Sequence, residues 1–131
     1  MKNRNFIERL GFAMAGLLAG WRRERSMRTH VVFVVLAAIA LLVLRPAPVW
    51  WALVTLAAAL VLALELVNSA VETVIDRLHP ERHEEMRVAK DMLAGAVLLM
   101  SFAALVIAFL LFVDTVPQRF WLLPLLHFLR A

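Results

Sequence analysis

Along this chain the apolar residues gather into long blocks and the polar ones into short bursts between them. Val31 to Leu44 carries no charge, and Val49 to Leu64 is Trp, Leu, Val and Ala apart from Thr55. A third block runs from Met92 to Val113. Blocks of this kind predict membrane-crossing helices of about 20 residues each. The expected spans are about 29–45, 49–75 and 88–113, the first of them short. Arg45-Pro46-Ala47-Pro48 separates the first two, because proline cannot continue a helix interior and restricts the residue before it. Trp50 and Trp51 read as interfacial anchors at the start of the second. Asp76 to Asp91, with Pro80 inside it, reads as a charged connection.

Before the first span, Phe6, Ile7, Leu10, Met14, Leu17 and Leu18 recur at helical spacing with Arg4, Glu8 and Arg9 interleaved. This predicts an amphipathic surface helix over 1–28. Gly16 and Gly20 form a small-xxx-small pair that permits close helix packing. The segment lacks the apolar core and cleavage pattern of a signal peptide. Beyond the third span, 117–131 is rich in Phe, Trp and Leu but broken by Pro124, and reads as an interfacial tail.

Composition agrees with the pattern. The 131 residues are 63% hydrophobic, with a mean hydropathy of +0.82, well above the roughly 45–50% apolar content of soluble domains. The expected fold class is an all-α membrane protein of one domain, 1–131. There is no cysteine, which excludes disulfides, thiolate metal sites and a cysteine nucleophile. The net charge of +4 sits beside the apolar blocks, so it speaks for membrane topology and anionic headgroups rather than nucleic acid. Lys2, Arg4, Arg9, Arg22, Arg23, Arg25 and Arg28 precede the first span, and Arg77, Arg82, Arg87 and Lys90 lie between the second and third. Arg45, Arg119 and Arg130 lie on the other side. The positive-inside rule then puts the N-terminus and the second connection in the cytoplasm and the C-terminus outside.

One stretch departs from the apolar regime early. Glu65, Asn68, Glu72 and Asp76 arrive at the end of the second block, and on an α-helix their side chains fall within a wedge of about 80°. A carboxylate at bilayer depth costs about 2.5 kcal/mol or more unless it faces protein, water or a cation. A helix merely emerging into solvent accounts for Asp76 and Arg77 but poorly for Glu65. Carboxylates with an amide suit a hard cation such as Mg²⁺. Arginines, a lysine and a divalent metal are what phosphoryl transfer uses. Glu65, the deepest of the group, is placed to act as general base on a lipid hydroxyl. The glycine-rich, lysine-terminated phosphate loop of soluble NTPases is absent, and no context for a Ser-His-Asp hydrolase is present. His79 and His83 read as loop residues, because Pro80 follows His79.

The run Glu65-Leu66-Val67-Asn68-Ser69-Ala70-Val71-Glu72, then Asp76-Arg77 and Lys90-Asp91-Met92, resembles the signature of the prokaryotic diacylglycerol kinase family, small three-span lipid kinases that include undecaprenol kinase. The resemblance implies a homotrimeric helix bundle in the bacterial inner membrane, with active sites shared between subunits, and no nucleic-acid partner. It implies ATP-dependent phosphorylation of a membrane lipid, with Mg²⁺ and ATP required. By motif, Glu65 corresponds to the catalytic base. Glu24 and Glu72 correspond to carboxylates holding metal with the ATP phosphates. Asn68, Lys90 and Asp91 match residues that orient the nucleotide, and Glu81, Arg82 and His83 fall in the loop beside it. Glu65, Asn68 and Ala94 match positions facing the lipid, while Ser69 and Asp76 complete the polar stripe.

Some positions depart from the pattern. The arginine expected in the surface helix is replaced by Asn5, next to Arg4. Phe12 lacks the hydroxyl of a tyrosine, and His30 stands where diacylglycerol kinases commonly carry Glu and undecaprenol kinases His. The loop and Lys90-Asp91-Met92 resemble the diacylglycerol branch, so diacylglycerol is the expected acceptor and undecaprenol the alternative. A small transporter or proton relay is the reading from another class, and a structural subunit a third. A transporter needs polar groups along a path, and the first and third spans carry no charge within their apolar blocks.

Overall fold

The computed structural model describes residues 5–78, 81 and 83–120, and these form α1 (Phe6–Arg23), α2 (Arg25–Leu44), α3 (Pro48–Leu78) and α4 (Glu84–Phe120). Several boundaries have a local cause. Asn5 caps α1, its side chain accepting the Glu8 N–H at 2.9 Å, while Arg22 and Arg23 complement the carbonyl end of the helix dipole. At Glu24 the backbone turns extended, with φ −103° and ψ 125°, and the chain re-enters a helix at once. Arg45 closes α2 in the left-handed region, φ 45° and ψ 56°, its N–H reaching the Leu41 carbonyl at 2.9 Å. Pro48 then occupies the first helical position of α3, where its missing N–H costs nothing.

Three of these helices, α2, α3 and α4, are long and apolar enough to cross a membrane. The expected surface helix over 1–28 is cut short. Arg25 to Arg28 belong to α2, which lengthens the first span to 20 residues and removes the shortness that the apolar block suggested. Long arginine stems can reach back to the interface from such positions. The charged connection is also shorter than expected. α3 continues to Leu78 and α4 already begins at Glu84, its first turns stitched by Arg87, which pairs with Glu84 at 2.5 Å and Asp91 at 2.6 Å. At its far end α4 runs through Asp114 and Pro117 to Phe120. An interior proline is tolerated in a membrane helix, where neighbouring groups can satisfy the carbonyl it frees. The interfacial tail expected over 117–131 therefore starts as helix, and residues 121–131 lie outside the described residues.

α3 is the hub. It packs along α4 and α2, and α1 lies against both α2 and α3. α1 has no buried residue; it comes close to α3 at Gly20, where a Cβ would stand 2.7 Å from Leu66 Cδ2. At the end of the bundle away from Glu65, Trp50 Nε1 donates to Asp114 Oδ2 at 2.9 Å, tying the start of α3 to α4. Among the described residues the buried apolar side chains are few: Met27, Leu41, Ala57, Val61, Val97 and Leu111. Large apolar residues such as Phe33, Leu99, Phe102 and Phe109 are exposed along the spans, as lipid or further chains require.

Candidate active site

The polar residues of α3 descend from solvent into the bundle. Asp76 is exposed, Glu72 and Asn68 are half-buried, and Glu65 keeps 3% of its surface. With 3.6 residues per turn they lie one above another on a single face, the arrangement that their spacing predicted. A buried carboxylate needs donors, and Glu65 finds one on α2: the Ser26 hydroxyl donates to its Oε1. One turn further along α2, His30 Nε2 lies 3.8 Å from Glu65 Oε2. Sequence reasoning assigned no role to Ser26. The signal available was the i, i+4 spacing of Ser26 and His30, which puts both on one helix face.

An apolar groove leads away from this point. It encloses about 340 Å³ between α2, α3 and α4, with Phe33 and Ala37, Val54 and Ala58, and Ala104 and Ala108 among its walls. His30 is the groove residue nearest the start of α2, so the groove approaches the Glu65 carboxylate there. The Ser101 hydroxyl, also on the groove, is buried without a hydrogen-bond partner. Such a groove suits hydrocarbon.

Toward the surface the chemistry changes to charge. Asn68 Nδ2 donates to Glu72 Oε1 at 3.4 Å, and Asn68 Oδ1 is buried with no partner. Glu24 sits at the α1–α2 corner and lines a second cavity, of about 670 Å³, with Arg23, Gly16, Gly20, Ser69 and Thr73. Ser69 is buried and its carbonyl accepts the Thr73 hydroxyl at 2.8 Å. Lys90 pairs with Asp76, linking α4 to the end of α3, and Asp91 pairs with Arg87. Arg87 is a second residue that sequence reasoning left out of the site, although acids three before and four after it on a helix announce the pairing. Glu81 and His83 are exposed between α3 and α4, and Ala94 is exposed on α4. Arg82 and His79 lie outside the described residues.

The donor set fits a hard cation held jointly with a ligand rather than by protein alone. Among the described residues, no three acidic or histidine side chains gather to hold a metal. Mg²⁺ ordinarily takes one or two carboxylates and completes its shell with phosphate and water. The unpartnered Asn68 Oδ1 beside a Glu72 oxygen offers acceptors of that kind.

Comparison with known proteins bears on most of the chain. A family model described as prokaryotic diacylglycerol kinase matches residues 11–112. A diacylglycerol kinase of Escherichia coli (strain K12) is 35% identical over 100 residues, covering 76% of this chain and 82% of that protein. A diacylglycerol kinase of Pseudomonas aeruginosa is 37% identical over 94 residues, covering 71% and 76%. An undecaprenol kinase of Bacillus subtilis is 26% identical over 107 residues, covering 82% and 87%.

Proposed function

The chain belongs to the prokaryotic diacylglycerol kinase family and is a lipid kinase, and from that premise we propose that it transfers the γ-phosphoryl group of ATP to diacylglycerol, giving phosphatidic acid. In this reading Glu65 is the general base. The lipid hydroxyl oxygen bonds to the γ-phosphorus, its proton passes to Glu65, and the bond to the leaving ADP oxygen breaks. The observation that carries the reading is the position of Glu65, buried where an apolar groove approaches a polar stripe. A lipid alcohol has that same division, with chains for the groove and one hydroxyl for the base.

The residues toward the surface serve the nucleotide. Glu24 and Glu72 would hold Mg²⁺ with the phosphates, and the cation would supply charge neutralisation for the transferred group. Asn68, Lys90 and Asp91, with Glu81, Arg82 and His83 of the connection, orient ATP. Asn68 and Ala94 border the lipid. α1 lies as an amphipathic helix on the cytoplasmic face of the inner membrane, with the active site on that side and the C-terminus outside. The assembly is a homotrimer, as the family resemblance implies.

The test is transfer of labelled phosphate from ATP, in mixed micelles, to diacylglycerol and separately to undecaprenol. Product with diacylglycerol is expected. Undecaprenol is the second reading, supported by the resemblance of His30 to the histidine that undecaprenol kinases commonly carry there, and preference for that lipid would move the assignment within the family. ATP use with neither lipid would remove the kinase reading of this site.

A further inference from the structure

The buried carboxylate at position 65 has two oxygens in different surroundings. Oε1 accepts a hydrogen bond from Ser26, and Oε2 faces His30 at 3.8 Å, beyond hydrogen-bond length. Ser26 stands in the first turn of α2, directly after the extended corner at Glu24. Its neighbour Met27 is 3% exposed and packs toward Gly20, which fixes where the Ser26 Cβ can point. The contact joins residues far apart in sequence and crosses from one span to the next. A carboxylate on a flexible two-carbon stem has several staggered positions available. A single donor on one oxygen selects among them.

We propose that Ser26 is a positioning residue for Glu65, holding Oε1 so that Oε2 is left toward His30 and the apolar groove where the lipid hydroxyl arrives. The inference rests on the reading of Glu65 as base. A base works when its oxygen lies within hydrogen-bond reach of the proton it takes, and angular errors of a side chain cost rate steeply. Ser26 does not touch substrate in this scheme; it acts through Glu65. Its hydroxyl also offsets part of the cost of burying the carboxylate, so a purely structural role must be separated from a positioning one.

The experiment uses the full chain in lipid-detergent micelles with Ser26→Ala, Ser26→Thr and Glu65→Gln, each checked for thermal unfolding. Turnover and KM for ATP are measured with whichever of diacylglycerol or undecaprenol is the better acceptor. The carboxyl infrared band that disappears in Glu65→Gln is followed in the two Ser26 variants. Ser26→Ala is expected to lower kcat about 10- to 100-fold, the worth of a hydrogen bond to a charged group, with KM for ATP unchanged and the Glu65 band shifted. Ser26→Thr, which keeps the hydroxyl, is expected to recover most of the rate and the band position. Normal kcat and an unmoved band in Ser26→Ala, with Glu65→Gln inactive, would overturn the positioning role and leave the base standing. A rate loss with the band unmoved, or one that threonine fails to recover, would also overturn it, making Ser26 a packing residue. Full turnover in Glu65→Gln would instead remove the base reading underneath.

Discussion

Replacing Glu65 with glutamine should move stability and activity in opposite directions. The side chain is 3% exposed, and the effective penalty for burying an ion in a protein is several kcal/mol. Against this stands one hydrogen bond to the charged group from Ser26, worth about 1.5–3 kcal/mol. His30, at 3.8 Å, adds attraction only when protonated. The balance at this position is therefore unfavourable to folding. Glutamine keeps the shape, and its carbonyl oxygen still accepts from Ser26, while the ionic penalty disappears. The variant should unfold at the same temperature as the parent or higher, by an amount equivalent to about 1–2 kcal/mol. Loss of a general base typically costs 10²–10⁴-fold in rate, or about 3–5 kcal/mol of barrier at 1.36 kcal/mol per decade. Thermal unfolding in detergent, turnover at saturating lipid and ATP affinity are measured on the same preparation. Lower stability and lower turnover in step would mark Glu65 as a structural residue. Near-normal turnover, or loss of ATP binding alone, would pass the proton-accepting role to another group.

Three further outcomes are expected, two from the proposed function and one from a contact at the far end of the bundle. Glu24→Gln and Glu72→Gln should raise the Mg²⁺ concentration needed for half-maximal turnover with little change in unfolding temperature, and unchanged metal dependence in both would remove them from the metal site. In verified mixed oligomers, Glu65→Gln and Glu24→Gln subunits should together regain some activity, whereas complete absence of rescue would confine each site to one chain. Trp50→Phe removes the 2.9 Å bond to Asp114 and should cost about 0.5–1.5 kcal/mol of stability. Because Trp50 precedes Glu65 by about 22 Å of helix at 1.5 Å per residue, turnover should stay at the parent level. A fall in turnover without a fall in stability would show coupling between the two ends of the bundle.

The spans and the polar stripe could be read from sequence because both depend on periodicity within one helix. Residues 65, 68, 72 and 76 share a face whatever packs against them, and a charge inside an apolar run is costly in any arrangement. Element ends were less legible. The apolar block gave too late a start for α2, since Arg25 and Arg28 are polar yet helical. The apolar block ends at Val113, whereas α4 continues through Pro117 to Phe120 as a 37-residue helix, because membrane helices tolerate an interior proline. The charged connection was overextended because ion pairs three and four residues apart hold the start of α4 helical.

Tertiary pairing was the hardest feature to see, and the reason is geometric. Nothing within α3 says which face of α2 meets Glu65, since α2 could be rotated about its axis without altering its apolar character. What fixes the rotation is the combination of the Glu24 corner, the close approach at Gly20 and the burial of Met27. Once Met27 faces inward, Ser26 is presented beside it and His30 falls one turn further on. The small residue at position 20 thus bears on the surroundings of a carboxylate that it does not touch. A bulkier residue there would meet the end of the Leu66 side chain, the α3 neighbour of Glu65, which would have to turn aside. The approach of α1 to α3 at Gly20 and Leu66 therefore lies next in sequence to the carboxylate that accepts from Ser26.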